Sequence, residues 1–143
     1  SQMIASALGA KVYKNSEPEM GFWPITLTPE AKQDKVFRHF PANPNVMHFH
    51  FDTFTLPEGA ILMAKSTVTP VQAFRYGKNA FAFQFHSELT ESNLPVFIRE
   101  LETEIIPGTL VQNPHEMIQK VGYCSLNNQI FSKVLDEVKQ LHS

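Results

Sequence analysis

Residues 80–91, AFAFQFHSELTE, run from a greasy segment into two groups capable of proton chemistry, His86 and Glu88. Phe81, Phe83 and Phe85 alternate with Ala82 and Gln84, the period-two pattern of a strand packed on one face. Polar residues follow at once, so the pair sits where a strand stops and a loop begins, a usual place for reactive groups on a rigid scaffold. In extended chain, side chains two residues apart leave the same face. A carboxylate there can hold the imidazole in one tautomer and stabilise its charged form, as the third member of a catalytic triad does. The plain reading of each residue alone is structural: a half-buried, hydrogen-bonded histidine and an acid that caps the next helix.

A second group is His48, His50 and Asp52, which alternate with Phe49 and Phe51. On a strand the three share a face, and with His86 as a fourth member they form a nitrogen and oxygen set suited to a metal. Small metal-binding β-barrels place a glutamate a few residues after such a pair. Here Glu58 comes only after the Leu56-Pro57 turn, so metal binding ranks third among the functional readings. The single cysteine, Cys124, has no histidine near it in sequence and is a poor candidate nucleophile. It excludes an internal disulfide framework and fits a reducing cytoplasm.

The frame that must hold these groups is a chain of 143 residues, 43% hydrophobic and 18% charged, suited to one soluble domain with a real core. A net charge of −2 offers no basic patch for nucleic acid. No apolar run reaches the roughly 18 residues a membrane helix needs, and no signal peptide is visible. Met3, Ile4, Ala7 and Leu8 predict an opening helix that Ser1 is placed to cap and Gly9 stops. Strands are expected over 11–14 and over 21–28, where Pro24 hints at an edge. Pro29 opens a helix over 29–40. Strands follow at 46–56 and 60–67, then a hairpin over 71–86 that turns at Gly77, Lys78 and Asn79. Helices are expected over 90–106, without a capping box, and after Asn113 and Pro114. The last, over 127–143, has Ile130, Val134, Leu135, Val138 and Leu141 on one side. This pattern is α/β or α+β and does not separate the two.

Several of these segments together resemble class I glutamine amidotransferases, most closely the glutaminase domain of GMP synthase and its stand-alone relatives. The residues that carry the likeness are His50-Phe51-Asp52, Leu56-Pro57, Gln72-Ala73-Phe74 with Gly77, and Gln84-Phe85-His86-Ser87-Glu88, in the family's order. The likeness covers 1–101 and leaves 102–143 as a helical tail of one amidotransferase-like domain. It implies an α/β three-layer sandwich of flavodoxin-like type whose central parallel strands come largely from an N-terminal part. It also implies hydrolysis of glutamine to glutamate and ammonia by a Cys-His-Glu triad, with His86 as acid and base and Glu88 as its orienter. Gln2 matches the glutamine that closes the family's Gly-x-Cys-x-Gly-x-Gln elbow and helps hold the substrate. His50, Phe51 and Asp52 are then expected to line or brace the glutamine pocket. No cofactor is expected, and the cysteine usage leads us to expect a cytoplasmic protein. The partner it implies is a synthetase, in the same chain or a separate one, that takes the ammonia.

The chain also departs from the family. By the Gln2 match, the nucleophilic cysteine belongs three positions before Ser1, and Ser87 stands where the family usually has proline. As written, the 143 residues are expected to be inactive and incomplete at the N-terminus, the later part of a longer protein. An alternative is that Met3 is the start and Ser1-Gln2 a cloning remnant. A non-catalytic amidotransferase-like module that binds a partner or small ligand is the runner-up function.

Overall fold

The computed structural model describes residues 1–141. The expected last helix ran on to His142 and Ser143, which lie outside the described residues.

The chain opens with α1 (Gln2–Ala7), which Gly9 ends at φ 82°. Ser1 stands at its N-cap but makes no capping bond; its hydroxyl donates to Gln2 Oε1 at 2.8 Å instead. The two strands expected over 11–28 are one long β1 (Val12–Pro24), irregular between Lys14 and Glu19, followed by a two-residue β2 (Thr26–Leu27). Proline has no N–H to continue a ladder. After Pro24 the chain changes sheets: β1 pairs antiparallel with β3 (Asn45–Phe54), whereas β2 pairs with β4 (Ala60–Lys65). A four-stranded antiparallel sheet, order β2-β4-β5-β6, is completed by the hairpin of β5 (Ala73–Tyr76) and β6 (Ala80–Phe83). Its turn comprises residues 77–79, as expected, with Gly77 at φ 58°. All strand pairs among the described residues are antiparallel.

The single helix expected over 29–40 is two pieces, α2 (Pro29–Gln33) and a 3-10 turn (Phe37–His39). Asp34 divides them. It is extended, and its Oδ1 accepts the backbone N–H groups of Val36 (2.8 Å) and Phe37 (3.2 Å), while Arg75 donates to Oδ2. A short acid that captures backbone donors competes with the helix in this way. The break turns Phe37 and Phe40 into one core with Phe81, Phe83 and Phe85, but Ala82 and Gln84 on the opposite face are buried as well, so the strand is packed on both faces rather than on the one expected.

Further on, α3 (Leu94–Glu100) is shorter than expected and gives way to a 3-10 turn (Glu102–Glu104). Before it, Thr90 and Asn93 exchange bonds: Thr90 N–H donates to Asn93 Oδ1 (2.6 Å), and Asn93 N–H to Thr90 Oγ1 (3.2 Å). These bonds close the turn ahead of the helix; Asn93, at the N-cap, makes no side-chain cap bond, so α3 opens without a capping box, as expected. The true capping box is at α4 (Pro114–Gln119), where Asn113 and Glu116 satisfy each other's N–H groups. The last helix, α5, begins at Gly122 rather than 127 and ends at Leu141. It packs Ile130 and Val134 into the phenylalanine core, and Cys124 into a second core with Met20, Phe22, Met47 and Leu94. No described helix is long and apolar enough to cross a membrane.

One close approach depends on glycine. Residues 110–112 run beside β1: Met20 N–H donates to Leu110 O, and Gln112 N–H to Met20 O, each at 3.0 Å. The Gln112 side chain then pairs with both the N–H and the carbonyl of Phe22, at 3.0 Å each. Gly21, at φ 105°, lies under that amide, where a Cβ would overlap it.

Candidate functional site

β6 stops at Phe83, short of the strand end expected at His86, because the chain there leaves its own sheet. Gln84 N–H still reaches Gln72 O at 2.8 Å, but His86 N–H donates to Met47 O of β3, also at 2.8 Å. His86 is therefore hung on the other sheet by its backbone. The ring of Phe97 from α3 lies beside the imidazole, with centroids 5.6 Å apart.

The imidazole Nδ1 and Glu88 Oε1 are 2.6 Å apart. Burial by itself would raise the Glu88 carboxyl, but the hydrogen bond and charge of His86, with backbone N–H groups of Glu88 and Ser87, outweigh it. The net result holds Glu88 below the ordinary glutamate value. An ionised Glu88 on Nδ1 keeps the proton there and leaves Nε2 free for transfer.

These two residues border a cavity of about 430 Å³ that Gln2, His50, Gln84 and Phe131 also line. Four of the residues singled out from sequence, Gln2, His50, His86 and Glu88, thus meet at one opening although they come from α1, β3 and the loop after β6. Phe51 and Asp52 are not among the lining residues. Phe51 packs against the second core, and Asp52 is exposed opposite Lys14 in the β1–β3 ladder.

Behind the cavity lies a buried polar cluster whose key acid, Glu19, had no signal in the sequence. Glu19 is 1% exposed. Its Oε1 accepts from Ser66 Oγ (2.7 Å), and its Oε2 from Thr69 Oγ1 (2.6 Å) and Gln72 Nε2 (2.8 Å). His50 Nε2 lies 3.4 Å from the same Oε2. His48 Nε2 donates to the Trp23 carbonyl at 3.2 Å, so its Nδ1 faces the cluster as an acceptor. Burial, above all, pushes both imidazoles down to about 4; the Trp23 carbonyl opposes this at His48, and the Glu19 charge opposes it at His50. Both rings are neutral at pH 7.

The metal set weighed from sequence is not the one this geometry brings together. Asp52 and His86 play no part, and Glu19 stands with His48 and His50, ligand atoms within 4.8 Å of one another. Gln72 Nε2 sits among them, at 2.8 Å from Glu19, 3.3 Å from His48 and 3.4 Å from His50. The carboxylate already receives three donors, so the cluster is joined by an amide in the place a cation would take. Its evident work is to tie β1 and β3 to the β4–β5 connection. Cys124 is 2% exposed, away from the cavity, and burial with the Glu91 charge pushes its thiol up to about 11, the reverse of an activated nucleophile.

Comparison with known proteins bears on this arrangement. Residues 1–100 match the family model for class-I glutamine amidotransferases. A glutamine amidotransferase-like protein of Salmonella typhimurium is 32% identical over 146 residues, which cover 100% of this chain and 60% of that protein. A glutamine-hydrolysing GMP synthase subunit from Sulfurisphaera tokodaii is 31% identical over 105 residues, 71% of this chain and 54% of that one. The crystal structure of a glutamine amidotransferase from Thermotoga maritima matches with a TM-score of 0.82 at 28% identity, over 99% of this chain and 59% of that one. The chain spans between 54% and 60% of the length of these relatives. Its mixed α/β fold is theirs, and by the match over residues 1–100 the chain belongs to the class-I glutamine amidotransferases.

Proposed function

We propose that the protein hydrolyses glutamine to glutamate and ammonia, with His86 as the acid and base and Glu88 as its orienter. The observation that carries this reading is the 2.6 Å contact from Nδ1 of His86 to Glu88 at the mouth of a cavity shared with Gln2 and His50. In this reading a cysteine thiol other than that of Cys124 attacks the side-chain amide carbon of glutamine. His86 Nε2 takes the thiol proton and returns it to the departing nitrogen as the C–N bond breaks and a thioester forms. Water, deprotonated by the same imidazole, then releases glutamate and regenerates the thiol. Gln2 holds the substrate, with His50 beside it. The ammonia passes to an acceptor on a synthetase, in the same chain or a separate one, as the likeness to part of a GMP synthase suggests.

The test is ammonia release from glutamine by the intact protein. His86→Ala is expected to lower kcat by about 10²- to 10⁴-fold, the usual contribution of a positioned acid and base. Gln2→Ala is expected to raise KM with little change in kcat. Near-normal turnover in His86→Ala would end the triad assignment. An intact wild-type protein that folds but releases no ammonia would leave a binding module instead.

A further inference from the structure

Residues 87–90, which carry Glu88, belong to no helix or strand, so no ladder holds their backbone. Yet this is where the direction of the Glu88 side chain is decided. Ser87 is 2% exposed and its hydroxyl has no partner, so its side chain does not fix the loop by hydrogen bonding. Local bonds hold part of it, from Thr90 to Asn93 and from the backbone N–H groups of Ser87 and Glu88 to the Glu88 carboxylate, and the rest of the support comes from the far end of the chain. The side-chain amide of Asn128, on α5, donates to the carbonyl of Ser87 at 2.8 Å and to that of Leu89 at 3.0 Å. These are the carbonyls on either side of Glu88. One amide group, with its two hydrogens, can serve both and so pins the 87–88 peptide just before Glu88 and the 89–90 peptide one residue beyond it.

The neighbouring residue acts in parallel. Asn127, 2% exposed, donates from Nδ2 to Asn45 O at the head of β3, the strand whose Met47 carbonyl holds the His86 N–H. Two consecutive asparagines inside a 20-residue helix are poor helix formers in a position that favours better ones. A local rule broken in mid-element points to work done elsewhere in the fold. Both asparagines lie beyond residues 1–100, the stretch that matches the family model.

We propose that Asn128 is a positioning residue for Glu88, and through it for His86, so that α5 is part of the machinery that aligns the pair. The proposal rests on the glutaminase reading for its kinetic consequence but not for its structural one. If a displacement on the order of 1 Å costs about 10²-fold, freeing the loop should tell on turnover rather than on substrate binding.

The experiment uses the intact protein with Asn128→Ala and Asn128→Asp, the latter isosteric but without the amide donors. Kinetics are combined with amide hydrogen exchange, read by mass spectrometry. Both variants are expected to lower kcat by about 10- to 100-fold while KM stays within about twofold. Exchange is expected to quicken in residues 87–91 and not along the rest of α5. A kcat within about threefold of wild type would overturn the proposal. So would faster exchange throughout the protein, which would mark Asn128 as a general packing residue. If the wild type releases no ammonia, the glutaminase reading fails by itself. The clamp is then decided by exchange alone: confined to 87–91 it stands, unchanged there it falls.

Discussion

Acid should unfold this protein earlier than its carboxylates alone would require, because two histidines are buried neutral in one cluster. His48 and His50 are 0% and 4% exposed, and both are pushed from 6.5 down to about 4. A depressed histidine favours the folded state above its unfolded value, and that contribution disappears as pH falls toward the folded value. Between about pH 6.5 and pH 4 the unfolded chain binds more protons than the folded one, so stability drops with pH. The linkage is worth on the order of a few kcal/mol across that window, and because the two rings interact the unfolded chain's extra protons belong to the pair rather than to either ring. Nδ1 of His48 and Nε2 of His50 are 3.5 Å apart, and His86 and Glu19 are the other titratable groups that act on the two rings. Glu88 is held low and acts in a separate window, below the ordinary glutamate value of 4.5. The assay is a series of urea titrations of the intact protein from about pH 7.5 to about pH 4.5, with His48→Gln/His50→Gln as the comparison. The double variant should be less stable at neutral pH but show a flatter pH profile. An unchanged midpoint down to about pH 5, or the same steep loss in the double variant, would refute the reasoning.

Three further perturbations follow from single contacts. Glu19→Ala strands three donors, on half-buried Ser66 and on buried Thr69 and Gln72, and should cost about 3–5 kcal/mol in chemical denaturation; a loss below about 1 kcal/mol would mean the cluster reorganises freely. Gly21→Ala places a Cβ against the Gln112 amide in a backbone conformation that alanine avoids, with an expected loss of about 3 kcal/mol; an unshifted melting temperature would contradict it. Elemental analysis of the purified protein should find no stoichiometric zinc, copper or manganese, since Gln72 stands among Glu19, His48 and His50. One metal ion per chain would show that the amide turns aside for a cation.

Legibility differed from one part of the chain to another. The phenylalanine face of 81–85, the hairpin turn and the Asn113 cap were plain in sequence, because period, turn chemistry and capping act over a few residues. The helix over 29–40 was misread because nothing local says that Asp34 will turn its carboxylate back onto Val36 and Phe37. The start of α5 was misread for a related reason: nothing local says that the helix already runs through Asn127 and Asn128, whose amides donate to carbonyls about 80 and 40 residues away.

By itself the sequence determined the chemistry on offer: a histidine and a carboxylate at the end of a strand, and an order of motifs that points to the class-I glutamine amidotransferases. Their direct contact follows from a spacing of two in extended chain, a local matter. Only the tertiary structure decided what surrounds them. The sheet change at Pro24 and the crossing of residue 86 onto β3 bring His50 and Gln2 to the same cavity as His86. The same packing removes Asp52 to the surface and selects Glu19 as the buried acid. The physical reason is range. Periodicity and capping are set by neighbours in sequence, whereas a buried charge is settled by whichever donors the packed sheets bring within reach, and here those came from Ser66, Thr69 and Gln72.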